Sequence, residues 1–317
     1  MKLQQLRYLC GVVQESFSMS RAAKALGTSQ PAISKQLRLL EQELGVDLLI
    51  RRGNRILGLT APGEAIIESA RRTLWEAENL RRITTEFTQE GGARLVIATT
   101  HMYARYVLPP VIKAFVEAHP QGRLTLRQGI PSMIAAWVAA GEADLGITGR
   151  SEDMRDELVF LPCAALNRSL FAPQGHPLLR EKRLTLKRIA EFPLITLDAD
   201  TEGGRTVLRA FEAAGLKPNV VLTAIDADVV KAYVETGLGV AVLMSIAYER
   251  TRDRALRIVD AAHLFEPTIP QILLRQGQYL SGSMYDFMRR LTPQWNRPAV
   301  EAALRVVARS RGRAHAA

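Results

Sequence analysis

Nine residues near the start of the chain carry side chains suited to nucleic acid. Ser29, Gln30, Pro31, Ser34, Lys35 and Arg38 lie close together, and Arg51, Arg52 and Arg55 follow around a Gly53-Asn54 pair. Gln, Ser and Lys hydrogen-bond base edges, whereas Lys and Arg hold phosphates. Guanidinium groups near a turn can follow the phosphate backbone or enter a minor groove. Catalytic constellations are missing. There is no Gly-x-Ser-x-Gly, no His-Glu-x-x-His and no P-loop, and the five histidines are scattered. Asp198-x-Asp200-x-Glu202-Gly203 begins like a calcium loop, but Arg209 stands where the bidentate glutamate belongs. Gly237-Leu238-Gly239 lacks the third glycine and the preceding strand of a dinucleotide fingerprint. The chain is therefore expected to be no enzyme and to need no cofactor or metal.

The elements around these residues suit a DNA reader. Ala22, Ala23 and Leu26 form the apolar edge of a short helix, and Gly27 supplies a sharp turn. Thr28 or Ser29 can cap the next helix, with Pro31 in its first turn. Ile33, Leu37, Leu40 and Leu44 recur at helical spacing and are expected to face inward. That leaves Gln30, Ser34, Lys35 and Arg38 outside, the pattern of a helix-turn-helix. The alternative is a helical hairpin with a solvated face. Two apolar runs, 46–50 and 56–60, flank the basic Gly-Asn turn as a hairpin, or wing.

Charge follows the same division. The net charge of +10 over 317 residues points to a polyanionic partner. Residues 1–60 hold 9 Lys+Arg against 4 Asp+Glu, and residues 297–317 hold 5 against 1. The rest is nearly balanced. Two cysteines, Cys10 and Cys163, offer no disulfide framework or Cys-x-x-Cys pair. No secretory leader or membrane-length apolar run is seen, so a cytoplasmic protein without membrane contact is expected.

After the wing, Thr60 and Pro62 open a long helix whose stripe is Ile67, Ala70, Leu74, Ala77, Leu80, Ile83 and Phe87. A stripe of that length suits pairing with a second copy, although packing on its own chain is the alternative. Residues 89–92 read as a hinge. Beyond it strands and helices alternate, implying mainly parallel sheets covered on both faces. Two such sets, with crossings near Pro162-Cys163 and Pro267, look like two α/β lobes. The basic end of the chain reads as a disordered tail.

Met1 to about Phe87 resembles the winged helix-turn-helix of LysR-type transcriptional regulators. The runs Ser29-Gln30-Pro31-Ala32-Ile33-Ser34 and Leu40-Glu41-x-Glu43-Leu44-Gly45 carry the likeness. Met1-Lys2-Leu3-Gln4-Gln5-Leu6-Arg7-Tyr8, the run 97–106, Asn167-Arg168-Ser169 and the run 223–231 resemble the CysB-type subgroup, whose members regulate sulfur assimilation. The resemblance covers about residues 1–298. It implies an α+β multi-domain chain: a winged helix-turn-helix over 1–60, a linker and dimerisation helix over 61–90, and an effector domain over 91–298. That domain would resemble periplasmic binding proteins, with lobe I at 91–162 and 268–298 and lobe II at 163–267. The tail would be 299–317. The implied partners are a pseudo-palindromic double-stranded operator, RNA polymerase, further copies as a dimer of dimers, and a small polar or anionic effector such as acetylserine or a sulfur oxyanion.

The expected effector contacts are Thr99, Thr100, His101, Met102, Tyr103, Gln128, Thr148, Gly149, Thr201 and Glu202. Four departures from the subgroup touch this set. Met102-Tyr103 replaces Thr-Gln, Gly149 follows Thr148 where a threonine is usual, and Leu166 replaces tryptophan. The acidic run Asp198 to Arg205 replaces a Thr-Gly-Arg element. Fewer donors and more carboxylates weaken an oxyanion site. A regulator of another catabolic or amino-acid pathway is the nearest alternative. A transport-type solute-binding protein would share the lobes but needs a leader and no basic reader.

Overall fold

The computed structural model describes residues 1–53, 55–88, 94–149, 155 and 157–314. The chain forms two compact units, Met1–Gly91 and Gly92–Ala317. The first holds helices α1 (Leu3–Gln14), α2 (Met19–Ala25) and α3 (Gln30–Leu44), a hairpin of β1 (Leu49–Arg52) and β2 (Arg55–Leu59), and the long α4 (Ala61–Thr88). Side-chain caps set the helix starts. Ser18 Oγ accepts the Arg21 amide, and Ser29 Oγ accepts the Ala32 amide. Gly27 makes the turn between α2 and α3 at φ 61°, and Gly45 ends α3 at φ 71°. Thr60 Oγ1 accepts the Gly63 amide at 3.0 Å while donating to the Asp47 carbonyl at 2.6 Å, which ties the start of α4 to the hairpin. Gly63 permits that approach, because a Cβ there would lie 2.1 Å from the Leu48 carbonyl oxygen.

Leu6, Leu9, Val12, Ala22, Ile33, Leu37, Leu40 and Leu48 form the core of this unit. Each fully buried aliphatic side chain contributes about 1.5–3 kcal/mol. Leu44, expected inside, is 38% exposed, since α3 outruns the helices that cover it. The α4 stripe is divided. Ile67 and Ala70 join the core and Leu74 packs partly against it, whereas Leu80 is 67% exposed.

The second unit contains β3 (Arg94–Thr99), α5 (His101–Tyr106), α6 (Leu108–Ala118), β4 (Arg123–Gln128), α7 (Pro131–Ala139), β5 (Leu145–Thr148) and β6 (Leu158–Pro162). These are followed by β7 (Arg168–Pro173), α8 (Leu186–Ile189), β8 (Leu194–Leu197), α9 (Glu202–Ala213), β9 (Val220–Ala224), α10 (Ala227–Glu235), β10 (Val240–Met244) and β11 (Leu256–Asp260). Last come β12 (Gln271–Arg275), α11 (Gly282–Leu291) and α12 (Arg297–Ala314). Lobe I is a sheet in the order β4-β3-β5-β12-β6, and lobe II a sheet in the order β11-β7-β10-β8-β9. The sheets are mixed rather than mainly parallel. In lobe I β3 runs parallel to β4 and β5, while the returning β12 is antiparallel to β5 and β6. In lobe II β8 is parallel to β9 and β10, and β7 is antiparallel to β10 and β11.

The two lobe crossings lie side by side. Leu166 and Thr268 exchange backbone hydrogen bonds of 2.8 and 3.0 Å, and the Cys163 amide donates to the Pro270 carbonyl at 2.7 Å. The basic end of the chain, expected to be a disordered tail, forms α12 from Arg297 to Ala314. Asn296 Oδ1 accepts the Ala299 amide, Arg297 and Arg305 flank Glu301, and Val300 is fully buried against lobe I. A capped, alanine-rich segment with an apolar face forms helix despite its basic composition. The expected hinge at 89–92 lies outside the described residues. Among the described residues, no helix is long and apolar enough to cross a membrane.

Candidate functional site

Two sites are built, one on each unit. On the first, α3 turns Gln30, Pro31, Lys35 and Arg38 to solvent, and Ser34 is half-buried beside them. Gln30 Oε1 accepts the Ser20 hydroxyl at 3.4 Å, which links α2 to the start of α3. Ser29 is occupied with its cap. A hollow of about 130 Å³ separates α3 from the hairpin, bordered by Gln30, Ser34, Arg38, Arg51 and Arg55. Arg52 and Arg55 are exposed and face each other in the strand register. Asn54, at the turn between them, is outside the described residues.

Arg51 differs from its neighbours. Its guanidinium grips the buried Glu41 at 3.0 and 2.7 Å, a bidentate pair. Glu41 Oε1 also accepts the Leu48 and Leu49 amides at 2.9 and 3.2 Å. Arg51 therefore fastens the hairpin to α3 before it offers anything outward. The sequence carried a signal for this pairing. Glu41 follows Leu37 by four residues on the inward face, where a carboxylate requires a cation or amides.

On the second unit, the end of β3 leads into the space between the lobes. Thr99 is fully buried and donates to the Ile147 carbonyl at 2.8 Å, so it is structural. Thr100 sits at the N-cap of α5 without making a side-chain cap bond. Gln128 is exposed at the end of β4, in register with Thr99. Thr148 is fully buried, and its hydroxyl has no partner among the described residues. Thr201 caps α9, accepting the Gly204 amide at 3.0 Å and donating to the Asp198 carbonyl at 2.7 Å, so its hydroxyl is already engaged. Glu202 begins α9 in lobe II and reaches Gly149 in lobe I. A Cβ built on Gly149 would stand 1.7 Å from Glu202 Oε2.

The helix α5 belongs to both lobes. Tyr103 is buried in the lobe I core, whereas Met102 and Tyr106 pack on the lobe II core. Polar bonds follow the same split. His101 Nε2 lies 2.9 Å from Asp226, Tyr106 donates to Asp228 at 2.5 Å, and Arg105 contacts Asp228 at 3.3 Å and Glu249 at 2.8 Å. Lys231, itself buried, holds Asp253 at 3.0 Å and the Ala247 carbonyl at 3.0 Å. Burial alone would raise the Asp228 carboxyl. The Tyr106 hydroxyl, Lys231 and Arg105 outweigh burial and hold it below the usual carboxylate range. The atoms of His101, Asp226 and Asp228 lie close enough to ligate an ion. Both carboxylates have other work, however. Asp226 caps α10 through the Asp228 and Val229 amides, and Asp228 serves the three partners just named. The cluster reads as a latch between lobes.

Arg168, not among the expected contacts, is the largest polar group in this region. It is 2% exposed, and both terminal nitrogens donate to Thr268 Oγ1 at 3.1 and 3.0 Å. Burial pulls its pKa down and the Glu202 carboxylate opposes that. Burial, then Glu202, pushes the Tyr103 hydroxyl up. A lone arginine opening an apolar strand was the available signal. The thiols are inert by comparison, since burial pushes Cys10 up to about 11 and Cys163 up to about 12.

Comparison with known proteins agrees with this division. Residues 3–64 match the bacterial regulatory helix-turn-helix of the lysR family, and residues 88–296 match the LysR substrate binding domain. The HTH-type transcriptional regulator SsuR of Burkholderia cenocepacia is 44% identical over 305 residues, covering 96% of this chain and 99% of that protein. The regulator CysB of the same organism is 41% identical over 310 residues, covering 98% and 99%. The crystal structure of the cofactor-binding domain of the Cbl transcriptional regulator matches with a TM-score of 0.63 at 35% identity, covering 68% of this chain and 94% of that domain. A two-helix reader with a basic hairpin, followed by two lobes that share α5, accounts for both matches: the chain belongs to the LysR family of transcriptional regulators, in its CysB-like branch.

Proposed function

We propose that this regulator controls genes of sulfur assimilation or sulfonate use. In this reading residues 1–60 read DNA, residues 61–90 pair two copies, and residues 91–298 bind the effector. The observation that carries the DNA part is the outward row of Gln30, Ser34 and Lys35 on α3 beside an arginine-bearing hairpin. Gln30, Pro31, Ser34 and Lys35 meet base edges. Arg38, Arg52 and Arg55 meet phosphates or the minor groove, and Arg51 braces the hairpin through Glu41. The exposed Leu80 continues the stripe by which two α4 helices pair. Pairing sets two readers on a pseudo-palindromic operator, and a dimer of dimers contacts RNA polymerase in the cytoplasm.

The effector is a small polar or anionic molecule, of the kind of acetylserine or a sulfur oxyanion. It enters at Thr100, Tyr103, Thr148 and Glu202, where α5 joins the lobes. Binding there shifts the balance between lobe arrangements. A mobility shift with the DNA upstream of the protein's own gene tests the regulator function. It is repeated with sulfate, thiosulfate, acetylserine and a taurine-like sulfonate. Retardation that one of these alters supports the reading, and absence of retardation at moderate salt overturns it. Thermal melting identifies the ligand class, since a ligand at ~100 times its Kd adds about 2.7 kcal/mol.

A further inference from the structure

Two polar groups of lobe I are buried side by side without partners. Thr148, at the end of β5, is fully buried, and Gln271, at the start of β12, keeps its Oε1 out of solvent. Neither the Thr148 hydroxyl nor Gln271 Oε1 has a hydrogen-bond partner among the described residues. The two residues are register partners in the antiparallel β5-β12 pair. Directly opposed residues set their Cβ atoms about 4.5–5.5 Å apart on one face of a sheet. The neighbours fix which face. Ile147 and Ile272, one step along, join the core of lobe I, whereas a Cβ on Gly146 would meet Ile134 and Val138 of α7. Alternation therefore puts Thr148 and Gln271 on the α7 side. On the other flank of β5, Thr99 pairs with Ile147, which brings Thr100 to the level of Thr148. Gln271 is not among the expected effector contacts.

A polar group buried without a partner destabilises the fold. The group that would complete this pair follows from its donors and acceptors. A threonine hydroxyl can donate one hydrogen bond and accept others, whereas an amide carbonyl can only accept. A molecule that answers both must offer an N–H to Gln271 and an oxygen or a second N–H to Thr148. An amino acid or an amino sulfonate does so. Free sulfate carries acceptors alone and would set its oxygens against the Gln271 carbonyl. Both protein atoms are closed to solvent, so the end of a ligand that reaches them leaves its water behind and depends on them for its hydrogen bonds. We propose that Thr148 and Gln271 form a specificity subsite of lobe I, which takes an N–H-bearing end of the effector and discriminates against oxyanions without a donor. The proposal rests on the cleft being the effector site, and of the two ligand classes named above it selects the amino-bearing one.

The test uses the full chain and the variants Thr148→Val and Gln271→Met, which keep much of the shape and remove the polar atoms. Without ligand, each variant should melt at or above the temperature of the unmodified chain, because it deletes a polar group that had no partner. In calorimetric titration with acetylserine, taurine and sulfate, the unmodified chain should favour an amine over sulfate. Each variant should bind the tighter of the two amines at least about ten-fold more weakly, a loss of about 1.4 kcal/mol. Ligand-free Thr148→Val melting about 2–4 °C lower overturns the proposal, since the hydroxyl then serves the fold itself, for example through a trapped water. So does an unmodified chain that takes sulfate more tightly than either amine, and so do variants whose amine binding is unchanged. Failure of the regulator reading is seen separately, in the operator shift of the unmodified chain.

Discussion

The head and the effector cleft handle charge in opposite ways. In the head, Glu41 of α3 is the buried carboxylate among the described residues, and its partners, the Leu48 and Leu49 amides and Arg51, all come from the hairpin segment just after that helix. The remaining cations, Lys35, Arg38, Arg52 and Arg55, stand in solvent. In the cleft, charged groups from distant segments meet between lobes: Arg105 with Glu249, Tyr106 with Asp228, and Glu202 against Gly149. The outer groups of the head are therefore free to serve a ligand without holding the fold. The polar groups of α5 also tie one lobe to the other, so contact made there and lobe geometry are coupled.

The sharpest way to break this contrast is to attack the one buried charge of the head. Glu41→Ala leaves Arg51 and two buried amides without their acceptor. The expected loss is about 3–5 kcal/mol, much of the margin of a small unit. Hydrogen exchange read by mass spectrometry should show Leu48 and Leu49 losing protection while β7 and β10 keep theirs. Protection retained at Leu48 and Leu49 would mean that the hairpin holds without Glu41.

Next in size is Lys35→Ala. An exposed reader should cost about 1–3 kcal/mol of operator affinity and relax discrimination at one base position, with the melting profile unchanged. A lowered melting temperature would move Lys35 into the structural class and narrow the contrast.

Legibility in the sequence divides along the same line. The head was readable because one apolar face fixes each helix: Ile33, Leu37 and Leu40 point in, so Gln30, Lys35 and Arg38 point out. The Arg51 bond to Glu41 was not legible, because the residue type of Arg51 suggests DNA while its partner lies ten residues back in the chain. The six residues of α5 carry no single stripe, since Tyr103 faces one core and Met102 and Tyr106 the other. Periodicity is blind to a helix shared between two lobes. Thr99 and Thr201 were sound by type and position, but their hydroxyls are bonded within the fold. Arg168 stood out in the sequence only as a lone arginine opening an apolar strand; its partner Thr268 lies a hundred residues on, across the second crossing.

A smaller effect probes the coupling in the cleft. Gly149→Ala sets a Cβ against the Glu202 carboxylate. The carboxylate is the end of a flexible side chain, so it should swing aside at a cost of about 1 kcal/mol. In a Glu202→Ala background that cost should vanish. Melting temperatures of the four proteins close the cycle. Additive losses would show that the two residues do not meet in solution.

The smallest effect belongs to the tip of the wing. Arg52 and Arg55 face each other across the hairpin, and like charges directly opposite destabilise a strand pair. Neither makes an ion pair among the described residues, so the fold gains nothing from their charge. Arg55→Ala should leave stability unchanged or raise it by a few tenths of a kcal/mol. It should weaken operator and unrelated DNA alike and lower the slope of log affinity against log salt by about one. Those three results together describe a phosphate contact. A selective loss on the operator with an unchanged salt slope would instead place Arg55 in a groove against a base edge. The wing would then carry sequence reading that α3 is here assigned alone.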